Sequence, residues 1–241
     1  MFSFFTKKDF LVDYLEGFVD IHNHILPGID DGAKNVEESI EIIKEFREIG
    51  VNSFICTPHI MNNYYENTPD IINKAYNRLL AGIKKEGLNV NIVPAAEHMI
   101  DDNFENILSK NEVMPLGKDH LLVEMSFLQP SINFEIAVNQ IQSKRLFPVL
   151  AHPERYSYYH KDFSKFEYFK NLGIKFQLNI LSLGDYYGKD VRKTALKLLE
   201  KDMYDFIGSD VHFLSQIKHI KRITLRPNTI SKVQNLISNK L

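Results

Sequence analysis

Phe18-Val19-Asp20-Ile21-His22-Asn23-His24 sets a pattern that the rest of the chain repeats. The apolar part, Phe18–Ile21, is too short for a buried helix and rich in large or β-branched residues, which predicts a strand. Six more runs share this form: Ser53–Cys56, Asn91–Ala96, Leu121–Val123, Phe147–Ala151, Ile174–Leu178 and Asp205–Ile207. Between them the apolar spacing changes to that of helices. Asn35 stands as an N-cap with Glu38 three residues on, followed by Val36, Ile40, Ile43 and Phe46 on one face. Thr68-Pro69 opens a second helix, lined by Ile72, Tyr76, Leu79 and Ile83 and closed by Gly87. A third follows Asp190 with Val191, Ala195 and Leu198, and others are expected over 104–109, 132–144, 163–172 and 229–238. Seven strands alternating with helices predict an α/β fold with a parallel sheet and helical crossovers, open or closed into a barrel.

The polar ends of the strands carry the chemistry. Along the first strand Asp20, His22 and His24 share a face, so two imidazoles project together and Asp20 is placed to orient one of them. The second strand leads to His59, the third to Glu97-His98, the fourth to Glu124, the fifth to His152 and the seventh to Asp210 and His212. Only the sixth, which runs to Asn179, lacks such a residue. In parallel α/β folds the carboxyl ends of the strands are where sites assemble. Imidazoles and carboxylates without thiolates suit Mn²⁺, Fe²⁺ or Zn²⁺. Seven or eight donors exceed the needs of one ion, so two or three divalent ions are expected. His98 points to the opposite face, and His120, His160 and His219 are expected at the surface.

Composition narrows the function classes. The 241 residues are 44% hydrophobic and 25% charged, ordinary values for a globular chain. With 11 Gly and 9 Pro there is no collagenous or linker-dominated architecture, and no apolar run reaches the roughly 18 residues of a membrane span. A net charge of −2 offers no basic footprint for nucleic acid. The start, MFSFFTKKDF, lacks the pattern of a signal peptide. A single cysteine, Cys56, makes no internal disulfide, which fits a reducing, cytoplasmic setting. The expected organisation is an extension over 1–17 and one domain over 18–241.

The run from Asp20 to Ala33, D-I-H-N-H-I-L-P-G-I-D-D-G-A, together with T-P-H, A-E-H, A-H-P-E-R and G-S-D-V-H in this order, resembles the PHP (polymerase and histidinol phosphatase) superfamily. It is most similar to the bacterial branch of metal-dependent protein-tyrosine phosphatases associated with capsule and exopolysaccharide synthesis. The resemblance covers about residues 18–225. It implies a distorted (β/α)₇ barrel of the TIM-like kind, and metal ligands at His22, His24, Asp31, His59, Glu97, Glu124, His152, Asp210 and His212. Glu97 is the implied bridging carboxylate, with Asp31, Glu124 and His212 around a third ion; Asp30 is the adjacent alternative to Asp31. Arg155 resembles the arginine that grips the substrate phosphate, and with Asp210 and His212 it makes up the expected catalytic set. Mn²⁺ is the expected ion, with Fe or Zn as alternatives. The implied substrate is a phosphotyrosyl protein, in particular a membrane-associated bacterial tyrosine kinase. One departure concerns a second arginine that the branch often carries after the final D-x-H. Here the run is Phe213-Leu214-Ser215-Gln216-Ile217-Lys218, with Lys218 and Arg222 as the nearest cations.

The chemistry is coherent with such a site. Metal coordination lowers the pKa of water from 15.7 to about 7, and paired ions about 3.5–4 Å apart can hold a hydroxide for attack on phosphorus. A tyrosyl leaving group, with a pKa of about 10, is easier to expel than an alkoxide. Thiol catalysis is excluded, because it needs an arginine six positions after the cysteine and Asn62 stands there. Tyr156, Tyr158 and Tyr159 are candidate walls of a phosphotyrosine pocket. The rival readings are a histidinol-phosphate or other small phosphomonoester phosphatase, an eight-stranded amidohydrolase, and a non-catalytic metal-binding module docking through residues 1–17. The amidohydrolase class takes a lysine at strand four and a histidine at strand six, where Glu124 and Asn179 stand.

Overall fold

The computed structural model describes residues 8–239. Its strands are β1 (Asp9–Phe10), β2 (Val19–Asp20), β3 (Ser53–Cys56), β4 (His59–Ile60), β5 (Asn91–Pro94), β6 (Glu97–Met99), β7 (His120–Glu124), β8 (Phe147–Ala151), β9 (Lys175–Asn179), β10 (Phe206–Gly208) and β11 (Thr224–Leu225). The helices are α1 (Val36–Glu48), α2 (Pro69–Lys85), α3 (Phe104–Ser109), α4 (Phe134–Ser143), α5 (Ser164–Asn171), α6 (Lys189–Glu200), α7 (Leu214–Ile220) and α8 (Pro227–Ser238). Each of the seven expected strands is present in its place. Asn35 caps α1 by accepting the Glu38 amide at 2.8 Å, and Thr68 caps α2 ahead of Pro69. Asp190 lies inside the first turn of α6, and the cap position is Gly188, whose φ of 89° suits glycine.

All the strands that bear on the site run parallel. Six are ordered β10-β9-β8-β7-β6-β4, and three are ordered β2-β3-β5. The break between the two sheets has a local cause. The second and third chain passes are each bent, at Thr57-Pro58 and just after Pro94, where proline supplies no amide to the ladder. β3 and β5 pair below the bend, and β4 and β6 pair beyond it with His59 opposite Glu97. The expectation of one continuous strand over Asn91–Ala96 therefore gives way to two short ones. A parallel bridge between Asn23 and Val211 joins the first pass to the last, reinforced by Asp210 N–H to the His22 carbonyl at 2.6 Å.

Alternation across the strands separates two apolar clusters. Leu121, Val123, Leu150, Phe176 and Leu178 belong to the larger one, with buried residues of the surrounding helices such as Phe46, Leu79 and Leu198. Leu122, Val149 and Ala151 face the other way, into a small cluster with Ile21, Ile55 and Phe206. Phe206 on the edge strand β10 and Ile55 in the other sheet meet only because the sheet curls round on itself. The result is an α/β fold around a curled parallel sheet.

Residues 9–15 are built into this body: β1 pairs antiparallel with β11, and Leu11 and Leu15 are buried in the larger cluster. Residues 1–7 of the expected extension lie outside the described residues. No helix among the described residues is long and apolar enough to cross a membrane.

Candidate metal centre

The carboxyl ends of the parallel strands converge on Glu97. Its side chain is fully buried, with Oε2 at 3.1 Å from His22 Nε2, 3.5 Å from His24 Nε2 and 3.2 Å from His59 Nδ1. Its Oε1 lies 3.2 Å from His152 Nε2. Three groups of possible ligands share members around it: His22, His24, Glu97 and Asp210; His59, Glu97 and Glu124; and His24, Asp31, His59 and His212. All nine residues named from the sequence as ligands are thus brought together, from six chain passes and their loops.

The donor set fits divalent cations on this structure's own terms. Both oxygens of Glu97, Glu124 Oε1 and His59 Nδ1 are buried and make no well-aligned hydrogen bond, although His59 Nδ1 stands 2.9 Å from Glu124 Oε1. Buried polar atoms are nearly always paired, so four orphans facing one another mark a place for a ligand that is not a hydrogen-bond donor. The electrostatics agree. Burial disfavours charge on His59, but the facing Glu124 carboxylate outweighs it and raises its pKa to about 9. Burial likewise opposes ionisation of Asp31, yet its contact with His212 holds its pKa down to about 2. The cluster is a set of carboxylates calling for positive charge, which imidazolium protons or metal ions can supply.

The two adjacent aspartates divide the work. Asp30 accepts from His24 Nδ1 at 2.8 Å, from the His59 amide at 3.2 Å and from the Gly32 amide at 2.9 Å, so both its oxygens are spent on shaping the site. Asp31 presents Oδ1 at 3.5 Å from His59 Nε2 and 3.4 Å from His212 Nε2. Of the two, it is Asp31 whose oxygen faces the imidazoles in a group that could hold an ion. Asp20 does not orient an imidazole. It accepts the Ser209 hydroxyl at 2.6 Å and amide at 2.8 Å, tying the first pass to the last, and burial pushes its carboxyl up to about 6.

His22 is oriented instead by Gln177, whose Oε1 lies 2.9 Å from Nδ1. Gly208 makes that approach possible, since a Cβ there would stand 2.7 Å from His22 Cβ and 3.0 Å from Gln177 Nε2. Two of the nine, His152 (φ 35°) and Asp210 (φ 54°), sit in the left-handed region that non-glycine residues rarely adopt. Such backbone strain clusters at functional sites, where surrounding structure holds it in place.

Arg155 reaches the cluster from the turn after β8. Its Nη1 donates to Asp210 Oδ2 at 2.5 Å, and its guanidinium lies between the Phe127 ring at 4.4 Å and the Tyr187 ring at 4.2 Å. Asn179 completes the frame by donating to Asp210 Oδ2 at 2.9 Å and to the Tyr187 hydroxyl at 3.3 Å. Asn179, Gln177, Phe127 and Tyr187 were not singled out as site residues from the sequence. The signal for the first two was their place at the end of the sixth strand.

Tyr156, Tyr158 and Tyr159 do not wall an open pocket. Tyr156 is fully buried, its oxygen accepts the Met125 amide, and Tyr158 donates to the Ser126 carbonyl. Lys218 and Arg222 are exposed, and neither bonds to Asp210, His212 or Arg155. His98 turns away as expected, donating from Nδ1 to the Leu122 carbonyl while its Nε2 accepts the Met114 amide, and burial pushes its pKa down to about 4. His160 is half-buried against the Glu154 carbonyl, not fully exposed at the surface.

An α/β fold that gathers imidazoles and carboxylates around one buried glutamate, with an arginine at the edge, defines a class of protein with clusters able to hold metal ions. More particularly, the chain belongs to the capsular polysaccharide synthesis family CpsB/CapC, which matches residues 18–235. It is 31% identical over 195 residues to the tyrosine-protein phosphatase YwqE of Bacillus subtilis, covering 80% of this chain and 77% of that protein. The putative tyrosine-protein phosphatase CapC of Staphylococcus aureus is 29% identical over 202 residues, with 82% and 78% covered. Among solved structures, this fold is similar to those of YwqE from Bacillus subtilis and CpsB from Streptococcus pneumoniae, described as unique metal-dependent tyrosine phosphatases. The TM-score is 0.77 at 27% identity, covering 92% of this chain and 95% of that one.

Proposed function

We propose that this protein is a metal-dependent phosphoric monoester hydrolase that removes phosphate from phosphotyrosine in proteins, with a membrane-associated tyrosine kinase of capsule synthesis as its substrate. The observation that carries this reading is the meeting of nine metal-type ligands with Arg155 at the carboxyl ends of the parallel strands. His22, His24, Asp31, His59, Glu97, Glu124, His152, Asp210 and His212 would hold two or three divalent ions, Mn²⁺ first. Such ions activate water at neutral pH and neutralise phosphate oxygens.

The chain's own residues do the rest. Arg155 spends one of its five N–H donors on Asp210 and keeps its remaining edge for the phosphate. The Phe127 and Tyr187 rings both pack on the guanidinium, so little side-chain freedom remains to be lost when substrate arrives. Asp210 links the arginine to the cluster, with its Oδ1 at 3.4 Å from both His22 and His24. His212 and Asp31 form the more open side, where Asp31 is about half exposed (47%) and a phosphate can enter.

The same reading takes the two sheets, joined at Asn23 and Val211, as one distorted (β/α)₇ barrel. It takes residues 18–241 as the catalytic domain preceded by an extension, and places the protein in the cytoplasm, where its free, buried Cys56 is at home. The test is steady-state hydrolysis of a phosphotyrosyl peptide against histidinol phosphate by Mn²⁺-reconstituted protein. The reading expects the peptide to be the better substrate; a strong preference for histidinol phosphate overturns it.

A further inference from the structure

A chain of ring contacts leads from Arg155, away from the metal cluster, to a groove lined by cations. Tyr187, which covers one face of the Arg155 guanidinium, packs against Tyr186 with ring centroids 4.8 Å apart, and Tyr186 packs against His219 at 5.0 Å. Tyr186, His219 and Arg222 line a cavity of about 580 Å³ between the loop after β9, the end of α7 and β11. That cavity shares Lys8, Arg192 and Thr224 with a second, of about 820 Å³, walled by α6 and the start of α8. Arg226 and Lys232 stand in the second cavity.

The joined groove has five cationic lining residues against two acidic ones, Asp185 and Glu200, an excess of three positive charges in a chain whose net charge is −2. Arg192 is paired with Asp185, and Lys232 with Asp202, which lies outside the groove. Lys8, Arg222 and Arg226 make no ion pair among the described residues, and Arg192 Nε is buried without a hydrogen-bond partner. Three unpaired cations lining one groove repel one another, which an anionic occupant would relieve. Cations spread along two connected cavities suit several negative charges in sequence better than one small anion. The concave shape suits an extended chain better than a bilayer surface.

We propose that this groove is an exosite for anionic side chains of the same polypeptide whose phosphotyrosine meets Arg155, an acidic stretch lying across Arg222, Arg192 and Arg226. The proposal rests on the phosphatase reading and adds a rule for the sequence around the phosphotyrosine.

The test compares the full chain with an Arg222→Glu/Arg226→Glu variant, and with Arg222→Gln/Arg226→Gln should the first not fold. Fluorescence anisotropy with a labelled acidic peptide lacking phosphotyrosine, and with its Asn/Gln counterpart, reads the groove without turnover. The parent is expected to bind the acidic peptide about 3- to 30-fold tighter at low salt, as a few exposed ion pairs allow. The preference should shrink with added salt and vanish in the variant. On the phosphotyrosyl versions kcat/KM should fall by a similar factor in the variant, while p-nitrophenyl phosphate hydrolysis stays within about twofold. Equal binding of both peptides by the parent, or a preference that survives in the variant, overturns the exosite. So does a variant that keeps its peptide preference but loses binding to phosphatidylserine vesicles. A parent that hydrolyses neither phosphotyrosyl peptide nor p-nitrophenyl phosphate overturns the phosphatase reading instead.

Discussion

Replacing Arg155 by lysine separates the phosphate-gripping role from metal binding. The guanidinium is fixed by three contacts: Asp210 at 2.5 Å, the Phe127 ring at 4.4 Å and the Tyr187 ring at 4.2 Å. One of its five N–H donors is used by Asp210, so a planar edge is left that can meet two phosphate oxygens at once. A lysine ammonium is a point charge. It can pair with Asp210 or with the phosphate, but it cannot stack flat between two rings and offer a fork as well. Asp210 keeps its other oxygen toward His22 and His24 in either case, so metal content should hold. Losing a preorganised donor to a transferring phosphoryl group costs about 1.4–4 kcal/mol, so kcat/KM for a phosphotyrosyl peptide should drop roughly 10- to 1,000-fold. Arg155→Ala should be worse, and extra Mn²⁺ should rescue neither. The assay is steady-state phosphate release with metal content measured on the same samples. Both variants within about twofold of the parent, at full metal occupancy, would make Arg155 a structural residue.

Other perturbations probe the cluster from different sides. Glu97→Gln keeps the shape but removes the charge at the centre of four imidazoles, and should lose at least one ion per chain by elemental analysis while retaining its circular dichroism spectrum. Gln177→Ala frees the His22 ring that it orients, and should weaken metal affinity by about 10- to 100-fold in a chelator competition. Cys56 is fully buried and burial pushes its thiol pKa up, so alkylating reagents should leave both the native thiol and the activity untouched. Mass-spectrometric labelling of the native protein at Cys56, with parallel loss of turnover, would contradict that.

What was legible in the sequence, and what was not, follows the range of the signals. The strands and most helices are written locally, as in the Phe18–His24 run or the Asn35 cap, because apolar period and capping act over a few residues. The clustering of the candidate ligands was legible because a parallel sheet puts every strand end at one side, so a residue type at a strand terminus already implies its neighbours. Gln177 was not, since it matters through His22, 155 residues away in the chain. Nor were Phe127 and Tyr187, whose rings meet Arg155 from two separate loops. The choice of Asp31 over Asp30 depends on side-chain direction within a turn, which spacing does not encode. Helix α7 escaped notice because its cap comes from inside: Gln216 Oε1 accepts the His212 and Phe213 amides at 2.7 and 3.0 Å, in place of the usual cap residue before the helix.

Turnover of phosphotyrosine is expected to depend on ions held by this cluster. The direct measurement is titration of metal-stripped protein with Mn²⁺ while following phosphate release from a phosphotyrosyl peptide. No turnover is expected at the start, then a rise that saturates at two or three equivalents per chain. Turnover by the stripped protein, or a flat response across the titration, would contradict it.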